Sequence, residues 1–212
     1  YTDVEKTVIS NGVDTSALEG YETLRTAYLD RYDLEPPVVF MIGHVMERKG
    51  LRAFVRTAKA LPDLDFAWFG YINPLGGGLA GRLLESRTVR RAIDDAPANC
   101  TFTGYIEDIR GGYAAGDIFF FPTKNENEGI ALLEAMACGK PILVRDIPTF
   151  DWLDHGENCL KTDEGFAQEL DRLRDPALRE RLGNAAYRKS TEFKLERVGG
   201  QLVDVYESLV DG

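Results

Sequence analysis

Between residues 36 and 145 the chain repeats one rhythm: a short continuous apolar run, a turn, then a segment whose apolar residues recur every three or four positions. Val38-Val39-Phe40-Met41-Ile42 follows the Pro36-Pro37 breaker and predicts a first strand. Residues 51–61 predict a helix, with Leu51, Phe54, Val55 and Ala58 spaced i, i+3, i+4 and i+7. Phe66-Ala67-Trp68-Phe69 predicts a strand ending at Gly70, and residues 79–93 a helix that turns Leu79, Leu83, Val89 and Ile93 to the core. Cys100-Thr101-Phe102-Thr103 predicts a strand ending at Gly104, and residues 106–115 a short helix. Asp117-Ile118-Phe119-Phe120-Phe121 predicts a buried strand, the segment from Gly129 to Gly139 an apolar helix, and Pro141-Ile142-Leu143-Val144 another strand. Strands without polar alternation fit a parallel sheet covered on both faces. Their alternation with helices predicts βαβ units, an α/β fold class.

The pattern changes after Asp163, where residues 166–174, 176–189 and 195–209 predict three successive helices. The last of these aligns Val198, Leu202, Val205 and Leu209 on one stripe. Residues 1–35 read as a leading segment, in which Val8-Ile9 predicts a strand running into a turn at Asn11-Gly12-Val13-Asp14. No repeat or linker interrupts 36–212, which predicts one domain with a helical tail.

A formal net charge of −10 over 212 residues argues against a general nucleic-acid binder, which would carry a basic footprint. A local cationic site remains compatible with it. Cys100, Cys138 and Cys159 are odd in number and far apart, which argues against a zinc site or a disulfide framework and for a reducing, cytoplasmic setting. No apolar run approaches the roughly 18 residues of a spanning helix, and no signal peptide is visible. The chain opens on Tyr1 rather than Met, as expected of a fragment or a processed product.

The segment Asn125-Glu126-Asn127-Glu128-Gly129-Ile130-Ala131-Leu132-Leu133-Glu134 carries the most chemistry. Glu126 lies before the predicted helix and Glu134, eight positions on, within it. Between them the first helical N–H groups lack intrahelical acceptors, and the positive end of the helix dipole attracts phosphate. Ionised carboxylates only accept hydrogen bonds, which suits hydroxyls. Hydroxyls at both ends and phosphates in the middle describe a nucleotide sugar. Glu126 and Glu128 read equally as plain acidic residues of a helix start. Glu134, among Leu132, Leu133, Ala135 and Met136, would be costly to bury unpaired.

Five ordered landmarks make the chain resemble the C-terminal half of a family 4 retaining glycosyltransferase of the GT-B fold, over about residues 8–209. They are Asn11-Gly12-Val13-Asp14, the segment from Gly43 to Lys49-Gly50, Phe102-Thr103-Gly104-Tyr105-Ile106, the Glu126/Glu134 segment, and Asp154-His155-Gly156-Glu157-Asn158. The wording Glu126-Asn127-Glu128-Gly129-Ile130, residues 41–50, and Val144-Arg145-Asp146-Ile147-Pro148 further resemble bacterial diacylglycerol glucosyltransferases.

The resemblance implies a Rossmann-like parallel sheet with helices on both faces, one half of a GT-B fold, plus C-terminal helices. It implies transfer of a hexose, with glucose from UDP-glucose expected, to an acceptor hydroxyl of a diacylglycerol-type lipid. It assigns Glu126 to the sugar hydroxyls, Lys49 to the diphosphate, and Glu134 to the ribose. It assigns the amides around Gly129, Ile130 and Ala131 to the sugar or diphosphate, and Gly104, Tyr105 and Ile106 to framing the base. Gly43, His44 and Arg48 would edge the diphosphate; His44 stands where many relatives have Arg. No cofactor or metal is expected, and no Asp-x-Asp occurs. The acceptor domain would lie outside this chain, so the chain alone is expected to bind donor weakly and transfer nothing measurable. A peripheral place at the inner membrane face follows from a lipid acceptor.

Two readings of other classes stand beside this one. Gly76-Gly77-Gly78-Leu79-Ala80-Gly81 matches G-x-G-x-x-G, as in an NAD-binding oxidoreductase, but follows its strand by several residues and lacks the later acidic residue. A non-catalytic Rossmann-like module is the other. Arg145 reads as either a site residue or a structural ion pair, His155-Gly156 as a turn, and the Arg87, Arg90 and Arg91 cluster as a solvated helix face or a membrane contact.

Overall fold

The structure, a computed structural model, describes residues 7–72 and 79–210, the side chains of 79–86 excepted. Six strands, β1 (Val38–Ile42), β2 (Asp65–Phe69), β3 (Cys100–Gly104), β4 (Ile118–Phe121), β5 (Ile142–Arg145) and β6 (Leu160–Thr162), form one sheet in the order β3-β2-β1-β4-β5-β6. Every pairing is parallel. The helices are α1 (Arg25–Tyr32), α2 (Leu51–Ala60), α3 (Leu79–Asp94), α4 (Arg110–Ala115), α5 (Ile130–Ala137), α6 (Phe166–Arg172), α7 (Pro176–Ser190) and α8 (Leu195–Val210). On one face α2 packs beside α3 and α6; on the other α1 packs on α4, and α5 on α7.

Burial of both faces explains the uninterrupted apolar strands: every residue of β1 and β4 is buried. Aromatic rings fill the space under α2, with Phe54 stacked on Phe120 at 5.7 Å and edge-on to Trp68 at 5.0 Å. The strand order is the doubly wound one in which ligands bind outside the carboxyl ends at the point of reversal. Here that point is the β1/β4 seam. Its ladder is short, with Val39↔Ile118 and Phe40↔Phe119 in register, against five pairs between β1 and β2.

Several sequence expectations change in detail. Val8 and Ile9 form no strand; Val8 is exposed, and only Val13 makes an isolated bridge, to Lys194. The helix expected over 106–115 begins at Arg110. The Asp108 carboxylate accepts the Arg110 N–H and its guanidinium, which holds residues 105–109 in a loop before the helix. Two elements had no expectation, α1 and β6. Leu18, Tyr28 and Leu34 join the main core, so the segment before Pro36 packs against the sheet layers. On α8 Val198 is buried, whereas Leu202 and Leu209 are exposed. The Gly76 to Gly78 part of the glycine motif, and the side chains of Leu79 and Leu83, lie outside the described residues. Among the described residues no helix is long and apolar enough to cross a membrane.

Candidate functional site

Two loops meet above the β1/β4 seam. The first leaves β1 at Gly43 and reaches α2 through the turn Glu47–Lys49. Its start is tied to β2: the Trp68 indole N–H donates to the Gly43 carbonyl at 2.8 Å, and the Gly43 N–H to the Phe69 carbonyl at 3.0 Å. Its end turns at Gly50, φ 87°, where an added Cβ would lie 2.2 Å from the Pro122 carbonyl oxygen. Only glycine permits both that φ and that approach. The loop after β1 is thereby pressed against the loop after β4.

Hydrogen bonds stitch the two loops together. The Lys124 N–H donates to the Arg48 carbonyl at 2.9 Å, and the Arg48 guanidinium to the Asn125 carbonyl at 2.8 Å. The hydroxyl of buried Thr123 lies between those carbonyls, 3.3 Å from Arg48 and 3.1 Å from Asn125. Lys124 pairs with Glu47 at 2.9 Å. At the centre the Lys49 ammonium pairs with the Glu126 carboxylate, and it also lies 5.3 Å from the Phe121 ring centroid. Asn127 N–H donates to the other Glu126 oxygen at 3.2 Å, and the Thr149 hydroxyl to the Glu126 carbonyl at 3.1 Å.

Gly129 caps α5 with φ 89° and ψ 80° and provides no side-chain cap. Leu132 and Leu133 N–H groups both donate to its carbonyl. The N–H groups of Ile130 and Ala131 find no acceptor among the described residues, as the first turn of a helix requires. A cavity of about 420 Å³ gathers Gly43, His44, Arg48, Lys49, Glu126, Gly129, Ile130 and Ala131. With Glu128, which also lines it, the cavity holds two cations, two carboxylates and a free helix start, groups suited to a diphosphate beside hydroxyls.

Glu134 lies one turn deeper on α5 and outside that cavity. The hydroxyl of fully buried Tyr113 donates to its Oε2 at 2.5 Å. Burial raises the Glu134 pKa, and the Tyr113 hydrogen bond pulls it the other way. Burial, then the Glu134 charge, holds the Tyr113 hydroxyl protonated well beyond its usual range.

Gly104, Tyr105 and Ile106 share the carboxyl edge but sit at β3, beyond β2. The Gly104 carbonyl accepts the Gly70 N–H at 3.0 Å, Tyr105 is exposed, and Ile106 is buried in the core; none of the three lines the cavity above the β1/β4 seam. Arg145 is structural: its guanidinium donates to the carbonyls of Pro122 and Asp163 and lies 5.0 Å over the Phe166 ring. His155 sits in a turn, with Nδ1 accepting the Lys161 N–H at 2.9 Å. Among the described residues no cluster of three His, Cys, Asp or Glu side chains gathers to hold a metal. The three cysteines are buried thiols, each pushed up to about 12 by burial.

Sequence reasoning took Asn11 only as part of a landmark, with no place in the site, and left out Tyr113. The Asn11 N–H donates to the Glu128 carboxylate at 2.5 Å and lines the cavity from 117 residues away, which no local pattern announces. Tyr113 does leave a signal: it is the one large, polar-tipped side chain in Gly111-Gly112-Tyr113-Ala114-Ala115.

Comparison with known proteins bears on the family and the fold. Over 210 residues the chain is 32% identical to the processive diacylglycerol alpha-glucosyltransferase of Acholeplasma laidlawii, covering 95% of this chain and 60% of that protein. It is 29% identical to the alpha-galactosylglucosyldiacylglycerol synthase of Streptococcus pneumoniae, covering 80% of this chain and 45% of that protein. The chain thus spans about half to three fifths of the length of these relatives. Its fold matches a glycosyltransferase of Rickettsia africae with a TM-score of 0.82 at 18% identity, over 96% of this chain and 57% of that one. It also matches Anabaena HepE, solved with UDP and glucose, with a TM-score of 0.79 at 19% identity, over 95% of this chain and 56% of that one. The six-stranded parallel sheet with its helices is the Rossmann-like α/β arrangement of the GT-B glycosyltransferase structures it matches. Residues 36–175 match the model of the family described as glycosyl transferases group 1, and the chain belongs to that family.

Proposed function

We propose that this chain is the donor-binding half of a retaining hexosyltransferase that takes glucose from UDP-glucose and passes it to a hydroxyl of a diacylglycerol-type lipid. The carrying observation is the meeting of Lys49, Glu126 and the uncapped start of α5 in one cavity at the reversal of the sheet. The names of the Acholeplasma and Streptococcus relatives support a diacylglycerol-based acceptor, and the HepE complexes support a UDP-sugar donor.

In this reading the diphosphate lies across the start of α5. Lys49, Arg48 and the Ile130 and Ala131 amides meet the negative charge that grows as the nucleoside diphosphate leaves, without a metal. Each preorganised donor of this kind contributes roughly 3 kcal/mol to such a transition state. Lys49 exchanges Glu126 for phosphate oxygens, and the released Glu126 carboxylate accepts hydrogen bonds from the sugar. Glu126 and Glu134 lie along the donor and not on opposite sides of the scissile bond, so the acid–base pairing of glycosidases is not assigned to them. The whole protein sits peripherally at a cytoplasmic membrane face, where lipid hydroxyls are presented.

The test is product analysis with the whole protein, offering UDP-glucose, UDP-galactose and GDP-mannose against diacylglycerol vesicles. An α-glucosyl diacylglycerol product is expected. A different sugar in the product corrects the donor; a product on a water-soluble acceptor alone sinks the lipid reading.

A further inference from the structure

Tyr113 is unlike its neighbours. It sits on α4, a helix otherwise built of glycine and alanine after Arg110. Those small residues bring α4 close to its surroundings: a Cβ on Gly111 would meet the Tyr28 ring at 2.0 Å, and one on Gly112 would come within 3.1 Å of Ile42 Cδ1. The Tyr113 ring is therefore held in place, edge-on to Phe40 at 6.1 Å and 87°. Its side chain is fully buried, and its hydroxyl faces two acceptors on α5, Oε2 of Glu134 at 2.5 Å and the Ala131 carbonyl at 3.3 Å. The hydroxyl has one proton, and the charged acceptor at the shorter distance takes it. Oε1 of Glu134 accepts no hydrogen bond among the described residues.

We propose that Tyr113 is a positioning residue: from inside the core its hydroxyl pins Oε2 of Glu134, which fixes the carboxylate and leaves Oε1 for a ribose hydroxyl of the donor. This rests on the donor-binding reading above and extends it to a residue that never touches the ligand. A glutamate has three rotatable side-chain bonds, and an oxygen held in one rotamer binds a hydroxyl without first losing that freedom. The pin also favours the ionised carboxylate. Burial alone raises the Glu134 pKa, and the hydrogen bond from Tyr113 opposes that rise. Burial holds the Tyr113 hydroxyl protonated well beyond the usual tyrosine range, so it remains a donor.

The experiment compares the intact protein with Y113F, E134A and the double variant by calorimetry. The probes are UDP, ADP, GDP and inorganic pyrophosphate, the last having phosphates but no ribose. For whichever nucleotide the wild type binds best, Y113F is expected to bind about tenfold more weakly while pyrophosphate affinity is unchanged. In the E134A background Y113F should add nothing, because it acts through Glu134. Across pH, with UDP-glucose as the probe, the acid limb of binding should move upward in Y113F, since the opposing hydrogen bond is gone. Wild-type nucleotide affinity in Y113F, or equal losses for nucleotide and pyrophosphate, overturns the positioning role. A wild type that binds none of the three nucleotides overturns the donor-binding reading itself, and this role with it.

Discussion

The Lys49 ammonium and the Glu126 carboxylate form an ion pair between the loop after β1 and the loop after β4, with side chains only 17% and 11% exposed. Seventy-seven positions separate the two residues in sequence. Removing one partner leaves a nearly buried charge uncompensated. K49A should destabilise the protein by about 2–3 kcal/mol in denaturant melts. K49A/E126A should recover part of that loss, although donor affinity stays low in both. Additive losses would show that the pair is not coupled.

E134Q separates binding from stability. Burial raises the Glu134 pKa above its usual value of 4.5, so the folded protein holds the proton more tightly than the unfolded chain. The charged carboxylate therefore costs stability at pH values above the raised folded pKa, and the cost vanishes as pH falls below 4.5. E134Q should be at least as stable as wild type at neutral pH while binding UDP about tenfold more weakly. Thermal melts at neutral and acid pH, set beside calorimetry, check both halves. An E134Q protein that binds UDP as wild type removes Glu134 from the ribose.

G50A tests the pressing of one loop on the other. An alanine would have to keep φ near 87° with its Cβ 2.2 Å from the Pro122 carbonyl oxygen. A loss of at least ~2 kcal/mol in stability is expected, together with weaker UDP binding, because the backbone must shift exactly where Lys49 is carried. Unchanged melting and binding would mean that the loops are not in this contact in solution.

R145A addresses a residue whose sequence context suited either a site or a scaffold. Its hydrogen bonds go to the carbonyls of Pro122 and Asp163. The variant should lose about 1–2 kcal/mol of stability and keep its UDP affinity. A large loss of affinity at intact stability would return Arg145 to the site.

The strands of the central sheet were legible because burial on both faces writes them as continuous apolar runs, as in Val38–Ile42 and Ile118–Phe121. Leu160–Thr162 escaped because an edge strand of three residues, of which only Leu160 is buried, leaves no such run. Arg25–Tyr32 escaped because it buries only Tyr28 and is polar along most of its length. Val8-Ile9 misled in the opposite direction: β propensity makes a strand only where a sheet edge is offered, and the Val8 side chain stands in solvent. Within the site, the loop residues carried motif wording, so Lys49, Glu126 and Gly129 were readable. The Tyr113–Glu134 contact was not, because it depends on how closely two helices of the same layer approach.

The short β1/β4 ladder bears on how the molecule holds together. The sheet grows outward from that seam in two directions, so residues 38–104 and 118–162 form its two sides, with the seam as their common spine. The stitched loops, with Lys49 and Glu126 at their centre, lie at one end of the spine. A molecule that bridges both loops acts as a clasp on it. Amide protons of Val39, Phe40, Ile118 and Phe119 should then exchange more slowly with solvent when the cavity is filled, even though no ligand reaches them.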